Sequence, residues 1–291
     1  MLEEYSEFCY EVVGSYALDY LEYFEGLRKQ LSKADVGITL PEYVSMIFFS
    51  TGVSAFFGFL FFGLLFILSF GISGLIIALV LSIITSSFIG GFFYIYPSIM
   101  MKSRESKIRD TLPFATMYLA TLSGTGTSLP EIFKDLAEVD EYGEVSKEAE
   151  KISRDIETFG MDVGEALERA ANRTPSEDFR ELVWGINHVI KTGGSLKDFL
   201  EGRADKLMDD YQRRIEEFSE TLSLLVEMYI TVIIVGSIIF TSMSAVISSF
   251  SSSISPSLLV NIQVMFIFFG IPLISAMFIL LVDGMSPGGI R

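Results

Sequence analysis

The sequence predicts an all-α membrane protein in which two transmembrane helix hairpins flank a six-helix cytoplasmic bundle. Three observations carry that expectation. Residues 43–101 and 228–282 contain no charged side chain over 59 and 55 positions. One membrane helix needs about 20 apolar residues, so each stretch suits two spans. Between them, residues 102–220 are polar and place apolar side chains every three or four positions, the helical period. The expected organisation is an amphipathic segment over 1–42, a hairpin over 43–101, the bundle over 102–220, and a second hairpin with a short tail over 221–291.

Composition narrows the chemistry. The 291 residues carry a net charge of −16, with one cysteine and one histidine. A lone Cys9 excludes an internal disulfide and a cysteine-based zinc site. No metal site, cofactor or catalytic residue is expected, because no acid–base pair or nucleophile–base set is present. An acidic soluble face disfavours nucleic acid, whose phosphates need Lys and Arg. It suits a protein partner with basic patches. The acidic first 42 residues lack the basic n-region of a signal peptide.

Along the chain, Leu2, Tyr5, Cys9, Val12, Tyr16, Tyr20, Phe24, Leu27 and Leu31 form one stripe, which predicts a single helix over 2–31. Its polar side is rich in Glu, unlike the Lys/Arg-rich side of an interfacial anchor, so it is expected to pack on the bundle or on a partner subunit. Spans are expected at about 43–68, 75–96, 222–247 and 258–281. Uncharged turns lie at 69–74 and 249–257. Pro97 and Pro272 are expected to kink their helices. Gly52, Gly58, Gly63, Gly90 and Gly91 are places where helices can approach closely. Lys102, Arg104, Lys107 and Arg109 follow the second span, and Arg203, Lys206, Arg213 and Arg214 precede the third. By the positive-inside rule the middle domain and both termini are cytoplasmic in a multi-pass cell-membrane protein.

The middle domain holds a repeat. Runs starting at Gly126, Gly160 and Gly193 share Gly, any residue, Ser or Asp, then Leu or Val, at spacings of 34 and 33. Gly suits a turn that ends one helix. Ser128, Asp162 and Ser195 can cap the next. Glu131 and Glu165 stand where a capping box needs them. Helices are predicted at about 111–123, 128–138, 142–159, 162–172, 175–191 and 195 onward. Thr174-Pro-Ser-Glu177 is read as a capping box. The last helix has no Gly or Pro between 203 and 235, so it is expected to run unbroken into the third span.

Gly126-Thr-Ser-Leu-Pro-Glu-Ile-Phe133, the run from Asp162 to Ala170 and the run from Gly185 to Leu200 resemble the platform proteins of type II secretion and type IV pili. The similarity points to the archaeal branch of archaellum and Tad-like pilus platforms. It covers about residues 35–283. It implies a non-enzymatic assembly platform that binds a hexameric secretion ATPase on its cytoplasmic side and relays movement to pilin-like subunits from the bilayer. Many members carry two bundles, so one bundle implies a homodimer or pairing with a similar single-bundle subunit.

Candidate partner contacts are Gly126, Ser128, Trp184, Lys191, Gly193, Gly194 and Glu227. Lys191-Thr-Gly-Gly-Ser195 lacks Walker spacing and a preceding strand, so a helix-to-helix turn is preferred to a phosphate loop. Glu227 lies inside the third span, where a carboxylate is costly; snorkelling to the boundary is the plainer reading. A small-solute transporter is the alternative suggested by hairpin symmetry, but the spans offer no paired substrate groups. A membrane-anchored helical scaffold is the other, although the tetratricopeptide signature is absent.

Overall fold

The computed structural model describes residues 2–71, 74–250 and 256–285. Every regular element among them is helical. In order these are α1 (Leu2–Asp19), a 3-10 turn (Leu21–Phe24), α2 (Glu25–Ala34), α3 (Leu40–Phe70), α4 (Gly74–Ser123), α5 (Leu129–Ala137), α6 (Glu144–Glu157), α7 (Val163–Arg173), α8 (Glu177–Thr192), α9 (Leu196–Phe250), α10 (Pro256–Met265) and α11 (Ile271–Met285). A short 3-10 turn, Asp140–Tyr142, precedes α6, and a π-helical turn, Phe266–Gly270, joins α10 to α11. The chain separates into two compact units, Met1–Arg203 and Ala204–Arg291.

Four helices are long and apolar enough to cross a membrane: Leu40–Ile67, Gly74–Ser123, Leu196–Ile247 and Asn261–Met285. The all-α membrane class read from the sequence is therefore observed. The expected turn at 69–74 falls partly on residues 72–73, and the serine-rich loop mostly on 251–255; both lie outside the described residues.

In the first unit α3 and α4 pair through small side chains. Ala78, Ser82 and Ser86 are buried, each one turn beyond the last. Ser82 donates to the carbonyl of Ala55 at 2.7 Å and Ser86 to that of Thr51 at 2.8 Å. Such hydroxyls satisfy polar groups between helices that have no water to meet. Of the glycines marked for close approach, Gly58 and Gly90 face the partner helix. A methyl group on Gly90 would lie 3.0 Å from Thr51 Oγ1, while Gly52, Gly63 and Gly91 face open space.

Two expectations need correction here. Helix α4 does not end near residue 96 and restart at 111; it runs for 50 residues through Pro97 and Pro113. Proline removes the N–H that would reach the carbonyl four residues back. For Pro97 that carbonyl is Phe93, and the buried Tyr43 hydroxyl donates to it at 2.7 Å. The neighbouring helix thus supplies the lost bond. The N-terminal stripe is also not one helix. The turn at Leu21–Phe24 interrupts it, so Leu27 and Leu31 are buried with Cys9 while Val12, Tyr16 and Tyr20 are exposed. Its first half packs on α3 and its second half, α2, mainly on α4, and Cys9, Leu27, Leu31, Ile38, Tyr43, Met46 and Ile47 share one cluster.

The helical domain of the first unit is built as the periodicity predicts. Ile108, Leu112, Ala115 and Leu119 of α4 are buried. So are Ile132, Phe133 and Leu136 of α5, Val145, Ala149 and Ile152 of α6, and Ala166, Leu167 and Ala170 of α7. Phe179, Leu182, Val183 and Ile186 of α8 complete the core with Leu200 of α9. Each fully buried Leu or Ile contributes roughly 1.5–3 kcal/mol. Phe159 and Ile190, which extend the apolar period in the sequence, are instead exposed, just past the end of α6 and in the last turn of α8. The start of α8 also differs from expectation. Ser176 is the cap, accepting from Phe179 N–H at 3.3 Å, and Pro175 stands before it.

Helix α9 is unbroken over 55 residues. In the second unit it pairs with α11: Tyr229 stacks on Phe278 at 4.5 Å, and their neighbourhood is closed by a Tyr229–Ser275 hydroxyl pair at 2.8 Å. The π turn ends two residues before Pro272, the position where the sequence predicts a kink.

Candidate functional site

The repeat becomes a site through topology. Its three turns are the α4–α5, α6–α7 and α8–α9 connections. Gly126, Gly160 and Gly193 all adopt positive φ, at +81°, +66° and +71°. Side chains disfavour that conformation and glycine does not. The three caps also form. Ser128 N–H donates to Glu131 Oε2 at 3.3 Å, Gly164 N–H to Asp162 Oδ2 at 2.9 Å, and Asp198 N–H to Ser195 Oγ at 3.2 Å.

The three turns meet. A methyl group on Gly124 would lie 3.6 Å from Lys197 Cδ, which joins the first turn to the third. One on Gly164 would lie 3.6 Å from Lys191 Cε, which joins the second to the third. Lys191 Nζ bonds Glu168 Oε1 at 2.9 Å, and Asn187 Nδ2 donates to the same oxygen at 3.1 Å. The Lys191 bond first, then that of Asn187, holds the Glu168 carboxyl below its ordinary range. Gly126, Ser128, Lys191, Gly193 and Gly194 thus share one exposed end, about 39 Å along α4 from Pro97 to Ser123 at 1.5 Å per residue. Trp184 is 45% exposed on α8, two turns before Lys191. Glu227 is exposed on α9 within the second unit.

A second cluster was not foreseen. Arg104, counted above among the basic residues that follow the second span, is only 6% exposed. Its Nε bonds Glu144 Oε2 at 2.8 Å, its Nη2 bonds Glu148 Oε1 at 2.5 Å, and its Nη1 donates to the Lys33 carbonyl at 3.0 Å. Asp35 lies 3.4 Å from Nη2 and also pairs with Lys151. Glu148 is wholly buried, and its other oxygen meets Arg173 Nε at 3.0 Å. Arg173 Nη1 then reaches Asp155 at 2.9 Å. Buried charges persist only when paired in this way.

The cluster ties the end of α2 to α4, α6 and α7. Asp35 ends α2 with φ +58°, a strained value for a residue with a side chain, and its ion pairs hold it there. Burial pushes the Asp35 carboxyl up, but the Lys151 bond and the Arg104, Lys151 and Arg173 charges outweigh it and leave it below its ordinary value. Glu144 follows the same pattern, with burial opposed by Lys147 and Arg104. The signal was present in α6: Glu144, Glu148, Lys151 and Asp155 form a charged stripe beside the apolar one.

The fold and the repeated turns define a class, a polytopic all-α membrane protein carrying a helical domain between its spans. Residues 115–243 match the family described as type II secretion system (T2SS), protein F. Flagella accessory protein J of Methanocaldococcus jannaschii is 31% identical over 137 residues, covering 47% of this chain and 24% of that protein. The protein of the same description from Methanococcus voltae is 30% identical over 139 residues, covering 47% and 25%. An uncharacterized protein of Methanocaldococcus jannaschii is 26% identical over 200 residues, covering 66% and 33%. The chain thus spans a quarter to a third of the length of these curated relatives. No solved structure matches.

Proposed function

We propose that this chain is a non-enzymatic membrane platform for assembling type IV pilus-like filaments, in an archaellum, pilus or type II secretion machine. The end formed by the three turns receives a cytoplasmic hexameric secretion ATPase. The long helices α4 and α9 pass its movement toward pilin-like subunits in the bilayer. One observation carries this reading: both helices leave the domain and continue, unbroken, into stretches apolar enough to span a membrane. A flexible linker would absorb movement; a helix transmits it. The family match and the names of the two flagella accessory proteins support the same class of machine.

In this reading the helical domain and both termini are cytoplasmic, supported by Lys102, Lys107 and Arg109 after the second span and Arg203, Lys206, Arg213 and Arg214 before the third. A second copy, or a similar single-bundle subunit, completes the assembly. Deleting the gene should abolish filaments while the ATPase and pilins are still made; normal filaments in that strain reject the reading. Trp184→Ala and Lys191→Gln should lower ATPase recovery on the purified full chain, with only a small drop in melting temperature for Lys191→Gln, which gives up the exposed Glu168 pair.

A further inference from the structure

The exposed side of α1 has no place in the assembly reading. The helix has three faces. Ser6, Cys9 and Ala17 are buried. Glu4, Glu7 and Glu11 point to solvent. Phe8, Val12 and Tyr16, spaced one turn apart, form a third face and are 53%, 54% and 72% exposed.

The contacts of α1 fix its direction. Tyr5 bonds Ser50 Oγ at 3.0 Å and Phe8 meets Phe49 edge-on at 5.7 Å. Tyr20, fifteen residues after Tyr5 and about 22 Å further along a helical path, contacts Phe48 at 5.7 Å. A helix lying alongside α3 would touch residues equally far apart. Tyr5 near the start of α1 and Tyr20 just past its last residue instead both reach Phe48–Ser50 with their side chains, so α1 runs across α3. If α3 crosses a bilayer, α1 lies near its plane.

The level follows from helix length. Hydrocarbon about 30 Å thick takes about 20 helical residues. Counted from the turn between α3 and α4, about 20 residues reach position 51 going back and position 94 going forward. Phe48–Ser50 and Tyr94 therefore lie at one boundary, and Phe24 joins the two sides by contacting Phe48 at 6.2 Å and Tyr94 at 6.1 Å. Aromatic side chains gather at such boundaries. Arg28 and Lys29, both exposed, follow one turn beyond Phe24, at the depth of lipid phosphates.

We propose that α1 is a membrane-surface helix whose Phe8, Val12 and Tyr16 face is immersed in the lipid layer around α3. The occupant is lipid because Phe8 meets Phe49 of α3, one to two turns before the exposed Val53, Phe56 and Phe57. The acidic polar face means that apolar insertion, not attraction to anionic headgroups, holds it there.

The test uses the full chain with Trp184→Phe, reconstituted in nanodiscs of zwitterionic phosphatidylcholine brominated at a shallow or a deep acyl position. Val12→Trp and Tyr16→Trp are compared with Glu11→Trp on the acidic face and Phe57→Trp on α3, where Phe57 is 63% exposed. Fluorescence of Val12→Trp and Tyr16→Trp should be quenched at least about twofold more than that of Glu11→Trp, and more by shallow than by deep bromines. Phe57→Trp should be quenched more by deep bromines. If Phe57→Trp is quenched while positions 12 and 16 are not, the proposal fails. Blue-shifted, unquenched emission would then mean a protein covers the face, such as a second copy, and red-shifted emission would mean water does.

Discussion

Arg104 shows how much one side chain can organise. All three of its nitrogens are engaged, by Glu144, Glu148 and the Lys33 carbonyl. Removing one partner of a buried pair leaves the other charge without compensation, at about 3–5 kcal/mol. Arg104→Ala should therefore lower the melting temperature far more than truncating an exposed arginine such as Arg213. The acids set a pH limit. Asp35 and Glu144 have carboxyls held below their ordinary values in the folded chain. Their contribution is present above the unfolded values near 4–4.5 and is lost as pH falls through the lower folded ones. Thermal melts between pH 7 and pH 3 should show wild type losing stability below about pH 4.5, and Glu144→Gln losing less over that window. An equal slope for both would remove Glu144 from the cluster's energetics.

At the scale of the element, α4 shows where sequence reading succeeds and stops. The apolar run and the close approach at Gly90 were legible, and so were a helix over about 111–123 and the capping turns. Its continuity was not, because proline acts through a hydrogen bond that another helix can supply. Tyr43 donates to the Phe93 carbonyl that Pro97 leaves open. Tyr43→Phe should cost about 1–3 kcal/mol, the range for a buried acceptor left unpaired. In a Pro97→Ala background, whose N–H can bond Phe93, the same change should cost much less; equal costs in both backgrounds would overturn the account. The break between α1 and α2 was hidden for a related reason. No Gly or Pro marks Leu21–Phe24, and only packing on α3 distinguishes it from a continuing helix. The Arg104 cluster was missed because charge near a membrane span reads as topology when the carboxylates that bury it lie 40 and 44 residues away.

For the whole molecule, the net charge of −16 belongs mostly to the solvent-facing helices. If those faces dock a basic ATPase surface, binding should weaken steadily between low salt and about 0.5 M, as the Debye length shrinks. Salt-independent binding would assign the contact to apolar groups such as Trp184. The meeting of three turns at one end could be inferred only in part. Their period was visible, but the packing that brings Gly124 to Lys197 and Gly164 to Lys191 is a property of the folded chain.

Helix α9 contains 55 residues and no proline. At 1.5 Å per residue it is about 82 Å long. Tilting such a shaft by about 5° around one end swings the other by about 7 Å, more than the pitch of a helical turn. On the proposed platform reading, a small angular stroke at one end of α9 would be geared up into a displacement comparable to the advance of a whole turn.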